Sequence, residues 1–136
     1  MSGRILLIDD DDSLRRVTEY NLVAAGFEVV TAASGKEGLI GFSKDDPDLV
    51  VTDVELGDMN GLELLAEFKK MNPDIPVIVI TAYGTIDMAV KAMTEGAFNF
   101  IPKPYTLDSL AEAIEKAITG LSRSAITFGS MGTRTS

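Results

Sequence analysis

Leu49-Val50-Val51-Thr52-Asp53 is an almost unbroken apolar run that stops on a carboxylate. Ile5-Leu6-Leu7-Ile8 has the same form and is followed by Asp9-Asp10-Asp11-Asp12. Val77-Ile78-Val79-Ile80 is followed by Thr81. A strand with one wet face alternates apolar and polar residues. A strand covered on both faces does not, and that is the parallel-sheet case. Two less apolar runs, Glu28-Val29-Val30-Thr31 and Phe98-Asn99-Phe100-Ile101, bring the candidate strands to five.

Helical spacing fills the intervals. Residues 13–25 carry Leu14, Val17, Tyr20 and Ala24, with Gly26 where a C-cap glycine belongs. Residues 61–70 carry Leu62, Leu65 and Phe68 and stop before Asn72-Pro73. Residues 85–95 carry Ile86, Ala89, Val90 and Met93, then Gly96. Residues 107–118 carry Leu107, Leu110, Ala111, Ile114 and Ile118. The weakest helix is 35–43, where Gly38 and Gly41 lower the propensity. Strands alternating with helices make βαβ units. Right-handed crossovers place helices on both faces. The expected fold is α/β: a five-stranded parallel sheet in the order 2-1-3-4-5, a doubly wound, flavodoxin-like (βα)5 domain.

The chain has 136 residues, enough for one domain with a two-sided core. Residues 1–119 read as that domain, and 120–136, rich in Gly, Ser and Thr, as a linker stub or tail. No apolar run approaches the length that spans a bilayer, and the N-terminus lacks a secretory h-region. The expected location is the cytoplasm, with no membrane partner. The absence of Cys removes disulfides and thiolate sites. The absence of His removes imidazole bases and phosphohistidine, so any phosphate donor is another molecule. A formal charge of −9 argues against direct nucleic-acid binding and favours divalent cations where acids cluster.

In an open α/β sheet, ligands bind at the carboxyl ends of the strands near the switch point. Asp9 and Asp10 follow strand one, Asp53 ends strand three, Thr81 ends strand four and Lys103 ends strand five. Three carboxylates on one rim repel one another. Mg²⁺ relieves that conflict and prefers carboxylates, waters and phosphate oxygens. A carboxylate is also a nucleophile toward phosphorus. Phosphoryl transfer then needs positioning and charge neutralisation, which Lys103 and the Thr81 hydroxyl can supply. Each residue alone has a plainer reading. The acidic run suits a solvated loop with Asp12 as a helix N-cap. Asp53 can simply end a strand, Thr81 can sit in a turn, and Lys103 between two prolines can be a surface charge. The joint reading rests on four such positions meeting at one rim.

Ile-Leu-Leu-Ile-Asp9-Asp10, Val-Val-Thr-Asp53, Ile-Val-Ile-Thr81-Ala82 and Phe100-Ile-Pro-Lys103-Pro104 resemble the receiver domain of bacterial two-component response regulators, over about residues 4–119. The resemblance implies that Asp53 accepts phosphate from a sensor histidine kinase. It implies that Asp10 and Asp53 ligate Mg²⁺ (or Mn²⁺), with Asp9 acting through water and the Glu55 backbone carbonyl as a further ligand. Lys103 would pair with the acyl phosphate, Thr81 would move toward it, and Phe100 would turn inward. A cis Lys103-Pro104 bond is also implied. The readout surface would be the fourth helix, fifth strand and fifth helix, acting on an effector outside this chain. The resemblance admits a phosphorylation-linked homodimer. Thr81-Ala82-Tyr83-Gly84 and the stretch from Gly96 to Tyr105 look like receivers of sigma54-dependent, NtrC-type transcription activators. On this reading the chain is a signalling domain that catalyses only its own phosphorylation and slow dephosphorylation.

Three positions depart from the family pattern. Leu56-Gly57 replaces the usual Met-Pro, which predicts a looser loop. Phe100 replaces the common Tyr and brings no hydroxyl. Glu55 and Tyr83, each two residues past Asp53 and Thr81, flank the expected path of hydrolytic water and would set phosphate lifetime. Three rivals remain at this level. One is a haloacid-dehalogenase-like phosphatase using Asp9; it lacks a late acidic pair and leaves Asp53 without a role. The second is an FMN-binding flavodoxin-like module, which needs a hydroxyl- and glycine-rich loop where four acids stand. The third is a pseudo-receiver that is never phosphorylated.

Overall fold

The computed structural model of the protein describes residues 3–124. Five strands alternate with five helices: β1 Arg4–Ile8, α1 Asp12–Ala24, β2 Glu28–Ala32, α2 Gly35–Asp45, β3 Leu49–Asp53, α3 Gly61–Met71, β4 Val77–Thr81, α4 Ile86–Thr94, β5 Asn99–Pro102 and α5 Leu107–Ser124. All strand pairs are parallel, in the order β2-β1-β3-β4-β5. No described helix is long and apolar enough to cross a membrane.

The continuous apolar runs behave as two-sided strands should. Leu6, Ile8, Val50, Val77 and Val79 face one core with α2, α3 and α4. Ile5, Leu7, Leu49, Val51, Ile78 and Ile80 face the other with α1 and α5. Every residue of β3 and β4 is buried. Each fully buried Leu or Ile contributes about 1.5–3 kcal/mol, so the three central strands carry most of the stability. Their rigidity is what holds the strand ends in register.

Helix starts are capped as sequence chemistry requires. Asp11 accepts from Leu14 N at 3.0 Å, so Asp11 and not Asp12 caps α1. Asp12 lies in the first turn and pairs with Arg15 at 2.7 Å. Asn60 and Glu63 form a reciprocal capping box on α3. Gly26 and Gly96 follow the ends of α1 and α4 with φ of 105° and 104°, where a Cβ is strained. The helix at 35–43 is longer than its propensity predicts. Gly38 has a packing role: a Cβ there would lie 2.5 Å from Ile8 Cδ1, so the glycine allows α2 to approach β1.

Two faces differ from the reading by spacing. In α1 the core face is Leu14, Thr18 and Leu22, whereas Val17, Tyr20 and Ala24 are exposed. Thr18 can be fully buried because its hydroxyl pairs with the Tyr105 hydroxyl at 2.9 Å. In α4 the core side is Met88 and Ala92, while Ile86, Val90 and Met93 face outward. β5 begins at Asn99 and runs to Pro102, one residue later than the run Phe98 to Ile101. An edge strand that is half-exposed gives no sharp apolar boundary. α5 continues to Ser124, so the boundary drawn at 119 falls inside a helix. The remainder of the tail lies outside the described residues.

Candidate functional site

The registers Ile8↔Thr52, Asp53↔Ile80 and Thr81↔Pro102 align four strand ends on one rim. The backbone just beyond them stays bonded: Asp9 N to Ala32 O at 3.1 Å, Val54 N to Ile80 O at 2.8 Å and Lys103 N to Thr81 O at 2.8 Å. Asp9, Asp53, Thr81 and Lys103 are thus set by rigid elements. Asp9, Asp53 and Thr81 are buried, Lys103 is half-buried and Asp10 is exposed.

Lys103 Nζ donates to Asp53 Oδ2 at 2.5 Å and lies 3.1 Å from Asp9 Oδ2. Asp53 Oδ1 accepts from Glu55 N at 2.9 Å, and Asp9 Oδ1 from Asp11 N at 2.9 Å. Burial pushes the Asp53 carboxyl upward. The Lys103 ammonium and the Glu55 backbone N–H pull it back, and the Glu55 carboxylate alongside raises it again. Asp9 is likewise raised by burial, against the Asp11 N–H and Lys103. Burial opposes the Lys103 charge, but the two carboxylates outweigh it and hold the ammonium above its usual range.

Carboxylate oxygens of Asp9, Asp10 and Asp53 lie within 4.8 Å of one another. An all-oxygen set with one exposed member suits a hard divalent cation that keeps several waters. The set also leaves Asp53 Oδ2 against the Lys103 ammonium.

Gly61 is part of this geometry. A Cβ there would collide with the Asp53 carbonyl oxygen, so α3 can start beside Asp53 only at a glycine. The Lys103–Pro104 bond is cis. Phe100 is half-buried, and it shares with Thr81, Gly84, Ile86 and Ala89 a cavity of about 300 Å³. Tyr83 is exposed, and its N–H donates to Thr81 Oγ1 at 3.0 Å.

Sequence reading missed three contacts. The sequence marks Glu55 for its backbone carbonyl and for phosphate lifetime, yet its side chain accepts from the Thr81 hydroxyl at 2.5 Å. Asp58 accepts from Gly35 N and Lys36 N, both at 2.9 Å, joining the loop after β3 to the start of α2. With the Asn60 cap, this ties the loop on the far side of Gly57, where sequence alone predicts looseness. The Thr18–Tyr105 pair is the third. Asn60-x-x-Glu63 was a readable local signal. Asp58 and Tyr105 had none, because their partners are remote in sequence.

A model of the response regulator receiver domain matches residues 5–115. The chain belongs to the response regulator receiver family. Receivers are the signalling domains of two-component systems, and the CheY-like fold agrees with the observed strand order. Similar curated proteins include the transcriptional regulatory protein GlrR of Escherichia coli, 42% identical over 85% of this chain and 26% of its own length. The DNA-binding transcriptional regulator NtrC of Salmonella typhimurium is 38% identical over 86% of this chain and 25% of its own. The chain thus spans about a quarter of the length of these relatives. A receiver domain structure from Clostridium thermocellum is 36% identical, covers 92% of this chain and 99% of its own, and superposes with a TM-score of 0.83. The likeness to NtrC-type receivers read from the motifs agrees with these relatives.

Proposed function

We propose that Asp53 of this receiver accepts a phosphoryl group from the phosphohistidine of a sensor kinase and passes the signal to an effector outside the chain. The observation that carries the reading is the Asp53 carboxylate held between Lys103 and the Asp9–Asp10 pair at the switch point of the sheet. An Asp53 oxygen attacks phosphorus, the P–O bond forms as the P–N bond breaks, and the imidazole leaves. Lys103 offsets the added charge and orients the reacting oxygen. Asp9, Asp10, Asp53 and the Glu55 backbone carbonyl would hold Mg²⁺ (or Mn²⁺), which neutralises phosphoryl oxygens when bound.

Thr81 and Phe100 then carry the switch. Phosphorylation adds acceptor oxygens beside the Thr81 hydroxyl. The shared cavity next to Thr81 gives Phe100 room to turn inward. The affected surface is α4, β5 and α5. Glu55 and Tyr83 border the reacting centre and would limit water access, setting phosphate lifetime. By analogy with GlrR and NtrC, the output is transcriptional regulation by domains outside this chain.

Intact mass after incubation with Mg²⁺ and acetyl phosphate tests the reading. One added phosphoryl, lost in Asp53→Asn, is expected. Label on Asp9 with turnover of a small phosphate ester would favour the phosphatase reading. No label, despite an intact fold, would favour a pseudo-receiver.

A further inference from the structure

The Glu55 carboxylate already occupies the Thr81 hydroxyl, which a phosphoryl group on Asp53 would need. Oε2 accepts from the Thr81 hydroxyl at 2.5 Å, and Oε1 accepts from Ala82 N at 3.4 Å. Thr81 Oγ1 has one hydrogen to give. Its acceptor side is taken by the Tyr83 N–H, which leaves the hydrogen aimed at Glu55. A hydroxyl so placed cannot serve Glu55 and a phosphoryl oxygen together.

We propose that Glu55 is a resident anion that competes with the phosphoryl group for Thr81 and Ala82, and so sets the threshold of the switch. The proposal rests on the reading of Asp53 as phosphoacceptor. Entry of phosphate brings a second anion against the Glu55 carboxylate, and Glu55 must swing out before Thr81 is released. The driving force for the Thr81 movement is therefore a difference: the new bond to phosphoryl less the old bond to Glu55. Glu55 acts through Thr81 and by occupying space, so it is a positioning residue.

A plain bracing role predicts the opposite. If Glu55 only tied the loop after β3 to the end of β4, removing it would loosen the site and slow phosphoryl uptake. Competition predicts faster uptake and tighter binding of a phosphoryl mimic.

The test uses Glu55→Ala, which removes the acceptor, and Glu55→Gln, which keeps its length without the charge. Uptake from acetyl phosphate is followed by intact mass, and beryllium fluoride affinity in Mg²⁺ by titration of the Ala82 amide resonance. Losing one charge-assisted hydrogen bond predicts about tenfold faster uptake and about tenfold tighter beryllium fluoride binding in Glu55→Ala. Glu55→Gln should lie between Glu55→Ala and the parent. In a Thr81→Val background the gain from Glu55→Ala should shrink, because the contested hydroxyl is gone. Label on Asp53 at an unchanged or slower rate, with unchanged beryllium fluoride affinity, overturns the competition alone. No label on Asp53 in parent or variants overturns the acceptor reading and this proposal with it.

Discussion

Lys103→Met removes the cation that two buried carboxylates share, and its consequences can be worked from the site. Nζ lies 2.5 Å from Asp53 and 3.1 Å from Asp9. At an effective dielectric near 20, the two contacts are worth about 5–7 kcal/mol each before desolvation of the partners is subtracted. Removing one member of a buried pair nets a loss of about 3–5 kcal/mol. Lys103 keeps 16% of its side chain in water, which favours the lower end. A loss of about 3 kcal/mol lowers Tm by roughly 10 °C in a domain of this size. Urea unfolding with EDTA at neutral pH measures it. The pH dependence supplies a second check. Burial raises Asp9 and Asp53, and Lys103 pulls both down. Without the ammonium their folded pKa values rise further above the unfolded ones. A group raised in the folded state gives stability below its unfolded pKa and loses it as pH rises through the folded pKa. The gap between variant and parent should be narrow in acid, where both carboxyls are protonated, and widen as pH rises through their raised folded pKa values. Mg²⁺ should then close part of it. A deficit under about 1 kcal/mol at neutral pH, the size of an exposed pair, would refute the reasoning, as would a gap that widens toward acid.

Thr18→Val should cost about 1 kcal/mol by stranding the Tyr105 hydroxyl, and Tyr105→Phe with it should cost little more than either alone. Additive losses in urea would count against that pair. Two backbone N–H groups at the start of α2 hold the Asp58 carboxyl below its usual range. A depressed pKa gives stability above the unfolded value that is lost as pH falls through the folded one. Asp58→Asn should therefore lower neutral-pH stability and flatten the acid limb, and parallel limbs for parent and variant would contradict it. Amides of α4 should exchange with solvent faster than those of α3, as hydrogen-exchange mass spectrometry can read; equal protection would contradict the light anchoring argued below.

Strand order and the rim were legible because they rest on strong local signals. Three runs with no polar interruption imply two-sided burial, and parallel topology then brings Asp9, Asp53, Thr81 and Lys103 together. Helix faces were less legible. A spacing of three and four finds a stripe, and α1 has two that share Leu14: Leu14, Val17, Tyr20 and Ala24, or Leu14, Thr18 and Leu22. The second is buried only because Tyr105, remote in sequence, satisfies Thr18. Side-chain contacts between loops were the least legible. Glu55 meets Thr81 across 26 positions, and Asp58 meets Gly35 across 23, so neither pattern has a local signature. The Leu56-Gly57 departure was read as looseness from one residue type, when the ties from Asp58 and Asn60 lie beyond it.

The reversed face of α4 bears on the proposed switch. α3 sends Leu62, Leu64, Leu65 and Phe68 into the core. At about 1.5–3 kcal/mol for each large side chain, those four anchor it firmly. α4 offers Ala92 as its one buried residue, with Met88 packed against the same core and Ile86 left 83% exposed. Burying an alanine methyl is worth only about 0.8 kcal/mol. The coupling between two sites in a signalling domain is typically about 1–3 kcal/mol. Such a sum cannot dislodge α3, but it is comparable to what holds α4. The element that is lightly held is also the one whose start lines the cavity beside Thr81 and Phe100. A more apolar inner face would give α4 a firmer seat and leave the phosphoryl signal too small to move it. On the proposed switch, the outward stripe leaves α4 with a seat on the sheet light enough for that sum to shift.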